Sequence, residues 1–200
     1  MKIFYHHIPR TGGTSIGKIA EKNYKNNFFI WQNYVNANEV LKRFKNEKDF
    51  FILCDSLFFT DDVKKILEIC DLDIISIRDP ISRFESLYNI WMDTNFYDSP
   101  YNISSEHLSI DDFYLKCKKE NKNLFLNLQH QYIKTYSPKQ VVKTENLSEY
   151  IKNLKDIGVF PNLIEEDLTV SNKSKSNFSL SENIKEDYKL YFPEDFYLLY

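Results

Sequence analysis

The first twenty residues constrain the fold of this chain more than any other stretch of its sequence. An apolar run over residues 2–8 is long enough for one strand, and apolar residues at 16, 19 and 20 have helical spacing. Between them lies a tight turn, Pro-Arg-Thr-Gly-Gly-Thr-Ser, over residues 9–15. This order of elements is typical of an anion cradle, because glycines let backbone N–H groups approach the anion and the helix N-terminus adds positive potential.

The side chains of the turn suit the same anion. Thr14 and Ser15 can cap the helix and can also donate hydrogen bonds to phosphate oxygens. Arg10 places a permanent positive charge beside them. The turn departs from the Walker A pattern, because Lys18 is followed by Ile19 and not by Ser or Thr. The lysine–hydroxyl pair of P-loop nucleotide kinases is therefore missing from this sequence.

Strands and helices alternate along the rest of the chain. Apolar runs predict strands at 28–31, 50–53, 74–77 and 141–142. Helices are predicted after residue 40, near 61, from Pro80, near 110–118, near 123–133 and from Ser181. Another is predicted to begin at Asn146, with a capping box to Glu149, and to end at Gly158. The alternation predicts an α/β fold of three layers, with a central, mainly parallel sheet flanked by helices.

Parallel sheets bind ligands at the carboxyl ends of their strands. This rule places four segments along one rim of the predicted sheet: the turn 9–15, residues 54–56, Arg78 and residues 143–145. Residues 93–105 are polar and rich in turn formers, so they are the candidate for a mobile loop over a site.

Length and composition indicate one folded domain over residues 1–200. The hydrophobic content of 42% and the aromatic content of 16% are those of a folded chain. The net charge of −3 disfavours a nucleic-acid-binding protein that relies on phosphate contacts. A local basic pocket remains compatible with this charge.

The cysteines indicate a reducing compartment. Cys54, Cys70 and Cys117 are odd in number and widely spaced, so we expect buried free thiols and no zinc site. The sequence contains neither an apolar stretch of membrane-spanning length nor a signal-peptide pattern. If the sequence is the whole natural chain, we expect a cytoplasmic protein without an integral membrane segment.

Residues 7–15, His-Ile-Pro-Arg-Thr-Gly-Gly-Thr-Ser, resemble the 5′-phosphosulfate loop of sulfotransferases that use 3′-phosphoadenosine 5′-phosphosulfate (PAPS). The carbohydrate-modifying members often read His-Ile-Pro-Lys-Thr-Gly-Gly-Thr-Ser there, so Arg10 replaces their lysine. The resemblance implies a P-loop NTPase-like sulfotransferase fold. It also implies that the sulfate end of PAPS is bound by Arg10, Thr11, Gly12, Gly13, Thr14 and Ser15.

A second stretch, residues 75–88, resembles the 3′-phosphate element of the same family. The family pattern is a strand, Arg-Asp-Pro, then Arg-Phe and a serine within the following helix. By position, the resemblance implies that Arg78 and Ser86 bind the 3′-phosphate. The alternative is that Arg78 pairs with Asp79 or another acid and that Ser86 is merely exposed. Residues further along are also similar to family sequences, at 127–129, 144–147 and 172–174.

The resemblance implies transfer of a sulfuryl group from PAPS to an acceptor hydroxyl, without a metal. It favours a carbohydrate or glycolipid acceptor, while the sequence alone leaves small molecules and protein tyrosine open as well. Arg10 would stabilise negative charge on the bridging oxygen, and it cannot donate a proton near neutral pH. The acceptor hydroxyl needs a general base, for which the family usually has His or Glu near the end of the second main strand. Here Asp55 is the nearest candidate, although an Asp at that place often caps a turn. His7 is the other candidate, although it can instead orient the turn.

Two other functions remain open at the level of sequence. A P-loop kinase would use Asp79 after the strand 74–77 as its Walker B acid and would need Mg²⁺, but the missing Walker lysine–hydroxyl pair and Pro80 disfavour it. A non-catalytic nucleotide-binding protein on a sulfotransferase scaffold is compatible with Arg10 and with the missing standard base.

Overall fold

The computed structural model of the protein describes residues 1–31, 36–54, 61–94, 108–120, 126, 128–168 and 175–199. The chain divides into two units, each built from two segments. The first unit comprises Met1–Ile77 and Tyr132–Ser171, and the second comprises Arg78–Gln131 and Asn172–Tyr200. The single domain expected over residues 1–200 stays a prediction.

The described part of the first unit contains a sheet of five strands. These are β1 (Lys2–His6), β2 (Phe28–Trp31), β3 (Phe50–Cys54), β4 (Leu72–Ile77) and β5 (Gln140–Lys143). Their order is β2-β3-β1-β4-β5, and all neighbouring strands are parallel. The predicted strands and the parallel sheet are therefore confirmed. The carboxyl ends of the strands lie along one edge, as the strand directions require.

Helices cover both faces of this sheet. They are α1 (Gly13–Tyr24), α2 (Ala37–Phe44), α3 (Asp61–Leu67) and the helix Leu147–Asp156. The first and the last of these share one apolar core with the strands, which includes Ile3, Tyr5, Ile16, Phe51, Ile74, Ile151 and Leu154. The opposite face contacts α2, because the ring centroids of Phe44 and Phe50 are 5.2 Å apart. The three predicted layers are confirmed.

The second unit has a core of its own. It contains α4 (Pro80–Thr94), α5 (Ile110–Lys119) and the helices Glu182–Tyr191 and Pro193–Tyr197. The buried residues of this core include Ile81, Phe84, Phe113, Tyr114, Leu126, Leu180, Tyr188 and Phe192. A further helix, Leu128–Tyr136, contains the boundary between the units, which falls after Gln131. It agrees with the helix predicted near 123–133.

The ends of the helices test the predicted signals. Pro80 is the first residue of α4, and Asp79 caps that helix by accepting the N–H of Ser82 at 2.8 Å. Gly158, with a φ of 81°, ends the helix Leu147–Asp156 as predicted. Asn146 is the N-cap of the same helix, as predicted, and it ends a 3₁₀ turn, Thr144–Asn146. The capping box is wrong, because within the described structure the Asn146 side chain forms no capping bond.

The expected loop 93–105 is wrong at its start, because Asp93 and Thr94 still belong to α4. Residues 95–105 lie outside the described residues. Cys54, Cys70 and Cys117 are buried and free, as predicted. Among the described helices, none combines the length and the apolar character needed to cross a membrane.

His6, the last residue of β1, makes the stability of the fold sensitive to pH. Its ring is buried, stacks on Tyr136 at 5.3 Å, and has Nε2 3.9 Å from a carboxylate oxygen of Asp73. Burial lowers the pKa of His6, although Asp73 opposes this effect. Below about pH 6.5, His6 therefore binds a proton in the unfolded chain but stays neutral in the folded protein. The free energy of unfolding then falls as the pH falls.

We expect the free energy of unfolding to drop by about 1 kcal/mol between about pH 7.5 and about pH 5.5. Urea denaturation at both pH values measures this drop. The variant His6→Phe keeps an aromatic ring and removes the titrating group, so it is expected to lose most of the drop. An undiminished drop in that variant would assign the effect to other groups.

Candidate active site

The turn after β1 depends on two residues in left-handed backbone conformations, Arg10 with φ 72° and Gly12 with φ 96°. Between them, Thr11 is buried and donates both its N–H, at 3.3 Å, and its hydroxyl, at 2.8 Å, to the carbonyl of Ile8. The polar groups of Thr11 are thus engaged inside the protein. Thr11 holds the shape of the turn, while the half-buried Arg10 lies at its start.

Packing explains why the turn contains two adjacent glycines. A Cβ on Gly12 would lie 2.5 Å from Cδ2 of Leu147, and a Cβ on Gly13 would lie 1.8 Å from Cδ2 of His7. Both separations are far shorter than any van der Waals contact. The imidazole of His7 therefore packs directly on the backbone of Gly13. The backbone N–H of His7 donates to the carbonyl of Cys54 at 3.0 Å.

The cap of α1 differs from the prediction. Thr14 and Ser15 were expected to cap this helix, but Gly12 is its N-cap and the two hydroxyl residues lie within the first turn. The reason is the left-handed conformation of Gly12, which turns the chain into the helix two residues earlier. Thr14 is exposed and Ser15 is half-buried, so both lie at or near the surface of the turn.

Three backbone N–H groups precede the first hydrogen bond within α1. Ser15 N and Ile16 N donate to the carbonyl of Gly12 at 3.1 and 3.2 Å, respectively. The amides of Gly12, Gly13 and Thr14 lie before these bonds, at the positive end of the helix. Amides at such a position suit an anionic phosphate or sulfate group.

Buried and half-buried hydroxyl groups connect the turn to β1, β4 and the 3₁₀ turn after β5. Oγ of Ser76 lies 2.9 Å from Oγ1 of Thr11 and also bonds the Thr11 carbonyl and the hydroxyl of Tyr5. Oγ1 of Thr144 lies 3.2 Å from the same carbonyl and 2.8 Å from that of Ile77. Burial raises the pKa of Tyr5, so its phenol stays protonated and can donate.

No sequence motif assigns a role to these supporting hydroxyls. Ser76 is a polar residue within the apolar β4, which was the available signal. Thr144 lies in a segment similar to family sequences, but its role depends on a contact between residues 133 positions apart. The hydroxyl cluster fixes the carbonyl of Thr11 and, with it, the turn that Gly12 closes.

Arg78 follows β4 directly and belongs to the second unit. Its backbone N–H donates to Oε1 of Gln129 at 2.7 Å, and its carbonyl accepts from Nε2 of Gln129 at 2.9 Å. The side chain of Arg78 is half-buried, as is that of Ser86 on α4, about two helical turns further along the chain. Asp79, the Walker B candidate, is engaged as the cap of α4.

Of the two general-base candidates, only His7 lies among the residues that the structure describes. His7 is half-buried beside the turn and supports Gly13, whereas Asp55 lies outside the described residues. Their catalytic roles stay predictions. Within the described ranges, no group of three or more His, Cys, Asp or Glu residues is arranged to hold a metal ion.

Comparisons with solved structures identify the fold. The chain resembles mouse sulfotransferase SULT7A1, whose crystal structure is complexed with PAP, with a TM-score of 0.50 and 16% sequence identity. The match covers 88% of this chain and 68% of that one. The predicted three-layer sulfotransferase fold is therefore confirmed.

Comparisons of sequence extend this result. An uncharacterized protein of Archaeoglobus fulgidus is 31% identical over 94 residues, which cover 44% of this chain and 37% of that protein. The aligned part thus spans little more than a third of this archaeal relative. A model of the Sulfotransferase family matches residues 1–123, more than half of the chain and both of the motifs described above. The chain belongs to the sulfotransferase family.

Proposed function

We propose that the protein transfers a sulfuryl group from PAPS to an acceptor hydroxyl. The observation that carries this proposal is the turn after β1, where Arg10 precedes three amides at the N-terminus of α1. Family membership supports it, and the solved relative complexed with PAP supports the nucleotide. The absence of a Walker lysine–hydroxyl pair in the sequence disfavours a kinase.

The residues divide between the two ends of the nucleotide. The amides of Gly12, Gly13 and Thr14 bind the 5′-phosphate, and the hydroxyls of Thr14 and Ser15 add donors to its oxygens. Thr11 acts in this site by holding the turn. At the other end, Arg78 and Ser86 bind the 3′-phosphate, where a guanidinium can form two parallel hydrogen bonds.

PAPS supplies an activated sulfuryl group, whose bond to the 5′-phosphate breaks as the acceptor oxygen bonds to sulfur. Arg10 stabilises the negative charge that develops on the bridging oxygen, and it keeps its own proton. The proton of the acceptor hydroxyl passes to a general base, for which Asp55 and His7 are the candidates. The reaction resembles phosphoryl transfer in that positioning and charge stabilisation dominate.

The finer assignments rest on the resemblance of residues 7–15 to carbohydrate-modifying sulfotransferases. They comprise a carbohydrate or glycolipid acceptor and a reaction without a metal. The cytoplasmic location is instead inferred from the three cysteines, whose buried thiols indicate a reducing compartment. A chain with this composition and without a Cys-x-x-Cys pair is compatible with these assignments.

Calorimetric titration with adenosine 3′,5′-bisphosphate (PAP) tests the proposal, first with a chelator and then with Mg²⁺. We expect binding that is the same under both conditions, and we expect PAP release from PAPS when glycans with free hydroxyls are added. Mg²⁺-dependent ATP binding without PAP binding would favour a kinase. PAP binding without turnover on a broad panel of acceptors would favour a non-catalytic binding protein.

A further inference from the structure

We propose that Gln129 and Asp195 are positioning residues that hold Arg78 for the 3′-phosphate. This inference rests on the proposed function, because it takes Arg78 as the ligand of that phosphate. All three residues belong to the second unit. Gln129 and Asp195 are fully buried, so neither is a candidate for contact with the nucleotide itself.

Gln129 binds both polar groups of the Arg78 backbone. Its Oε1 accepts the Arg78 N–H at 2.7 Å, and its Nε2 donates to the Arg78 carbonyl at 2.9 Å. A side-chain amide carries both an oxygen acceptor and N–H donors, so Gln129 can bind both backbone groups at once. The paired bonds fix the backbone from which the arginine side chain extends.

Asp195 supports the first turn of the helix Leu128–Tyr136, which carries Gln129. Its Oδ1 accepts the N–H of His130, the residue after Gln129, at 2.6 Å. The N–H groups of Gln129 also act electrostatically on the buried carboxylate. Because a carboxylate can only accept hydrogen bonds, its charge favours the amide orientation in which the Gln129 nitrogen is nearer to it. Asp195 thus holds the helical turn from which Gln129 binds Arg78.

Arg83 stabilises the charged form of the buried Asp195 carboxylate. It is fully buried in α4, its positive charge acts on Asp195, and it hydrogen-bonds the hydroxyl of Tyr188. Burial raises the pKa of Asp195, while the charge of Arg83 and the N–H groups of Gln129 and His130 oppose that rise. Arg83 belongs to the Arg-Phe pair of the 75–88 motif, so its role here is to support the site from inside the core.

The chain of contacts predicts an effect on one end of the nucleotide only. Disturbing Gln129 or Asp195 shifts the Arg78 backbone, and a small misplacement of a charged ligand weakens its bonds to phosphate. A nucleotide without a 3′-phosphate makes no use of Arg78. Adenosine 5′-monophosphate is therefore the matched probe for PAP.

The experiment measures the affinities of both nucleotides by calorimetry for wild type, Gln129→Met, Gln129→Glu and Asp195→Asn. Met keeps the size of Gln without its polar atoms, and Glu keeps an acceptor but places a second carboxylate beside Asp195. We expect PAP affinity to fall about tenfold or more in each variant, while the affinity for adenosine 5′-monophosphate stays unchanged. Gln140→Met, at an exposed position on β5, is the control and is expected to bind both like wild type.

A double-mutant cycle separates positioning from general damage. In an Arg78→Ala background, Gln129→Met is expected to cause no further loss of PAP affinity. Unchanged PAP affinity in the single variants, or equal loss for both nucleotides, would overturn the inference. If Gln129→Met does not fold by circular dichroism, Asp195→Asn provides the same comparison. Failure of the wild type to bind PAP would overturn the proposed function, and this inference with it.

Discussion

Replacing Arg78 by alanine is expected to weaken PAP binding about 100-fold. The variant removes a positive charge and up to two charge-assisted hydrogen bonds from the 3′-phosphate. The other guanidinium of the 75–88 motif, that of Arg83, is fully buried in the core. Arg78→Lys keeps the charge but loses the planar fork, so its affinity should lie between those of wild type and Arg78→Ala. Calorimetric titration of the three proteins measures this order.

The matched control is Arg43→Ala. Arg43 is exposed on α2, lies over the rings of Phe29 and Phe44, and donates to the carbonyl of Asn26. This variant removes the same charge from the protein but is expected to bind PAP like wild type. Equal losses in Arg43→Ala and Arg78→Ala would indicate an effect of net charge and would remove Arg78 from the site.

Replacing Gly12 by alanine is expected to destabilise the fold by about 3 kcal/mol, the sum of two costs. The first is the left-handed backbone at φ 96°, which costs an alanine about 1–2 kcal/mol. The second is steric, because the new Cβ would meet Cδ2 of the buried Leu147 at 2.5 Å. Urea denaturation measures the loss, and nucleotide binding should weaken because the N-cap of α1 must shift.

Gly158 provides the matched control for this prediction. It also has a left-handed backbone, with φ 81°, but a Cβ there would meet nothing within 4 Å. Gly158→Ala therefore carries only the conformational cost, about 1–2 kcal/mol. Equal destabilisation by the two variants would show that the Leu147 side chain can move away from the new Cβ without loss of stability. Weaker destabilisation by Gly12→Ala than by Gly158→Ala would contradict the steric account.

The sequence was sufficient to predict features that depend on neighbouring residues. Apolar runs located the strands, and Asp79-Pro80 predicted the start of α4, because caps and proline act within a few positions. The cap of α1 was missed because two hydroxyl residues and a glycine compete for that role, and only the φ of Gly12 decides between them. Local signals also failed for the capping box at Asn146, where a 3₁₀ turn leads into the helix.

Features that depend on contacts between residues far apart in the chain could not be predicted from the sequence. Ser76 and Thr144 reach Thr11 across 65 and 133 positions, and Asp195 reaches His130 across 65. No local pattern marks such partners, since a lone Ser in a strand or an Asp in an aromatic C-terminal segment has many uses. The division after Ile77 was equally hidden, because it falls inside the 75–88 motif and no linker composition marks it.

The register of the sheet has a consequence for the synthesis of the protein. β1 leaves the ribosome before the other four strands. Its partners begin at Phe50 and Leu72, and β5, which pairs with β4 at Ile74, begins at Gln140. Thr144, whose hydroxyl donates to the carbonyl of Thr11 in the turn after β1, is synthesised later still. At about 5–20 residues per second, the nascent chain carries an incomplete turn for on the order of ten seconds. During that interval the unpaired apolar strand is open to aggregation, so folding of this chain should depend on chaperones more than its size alone suggests.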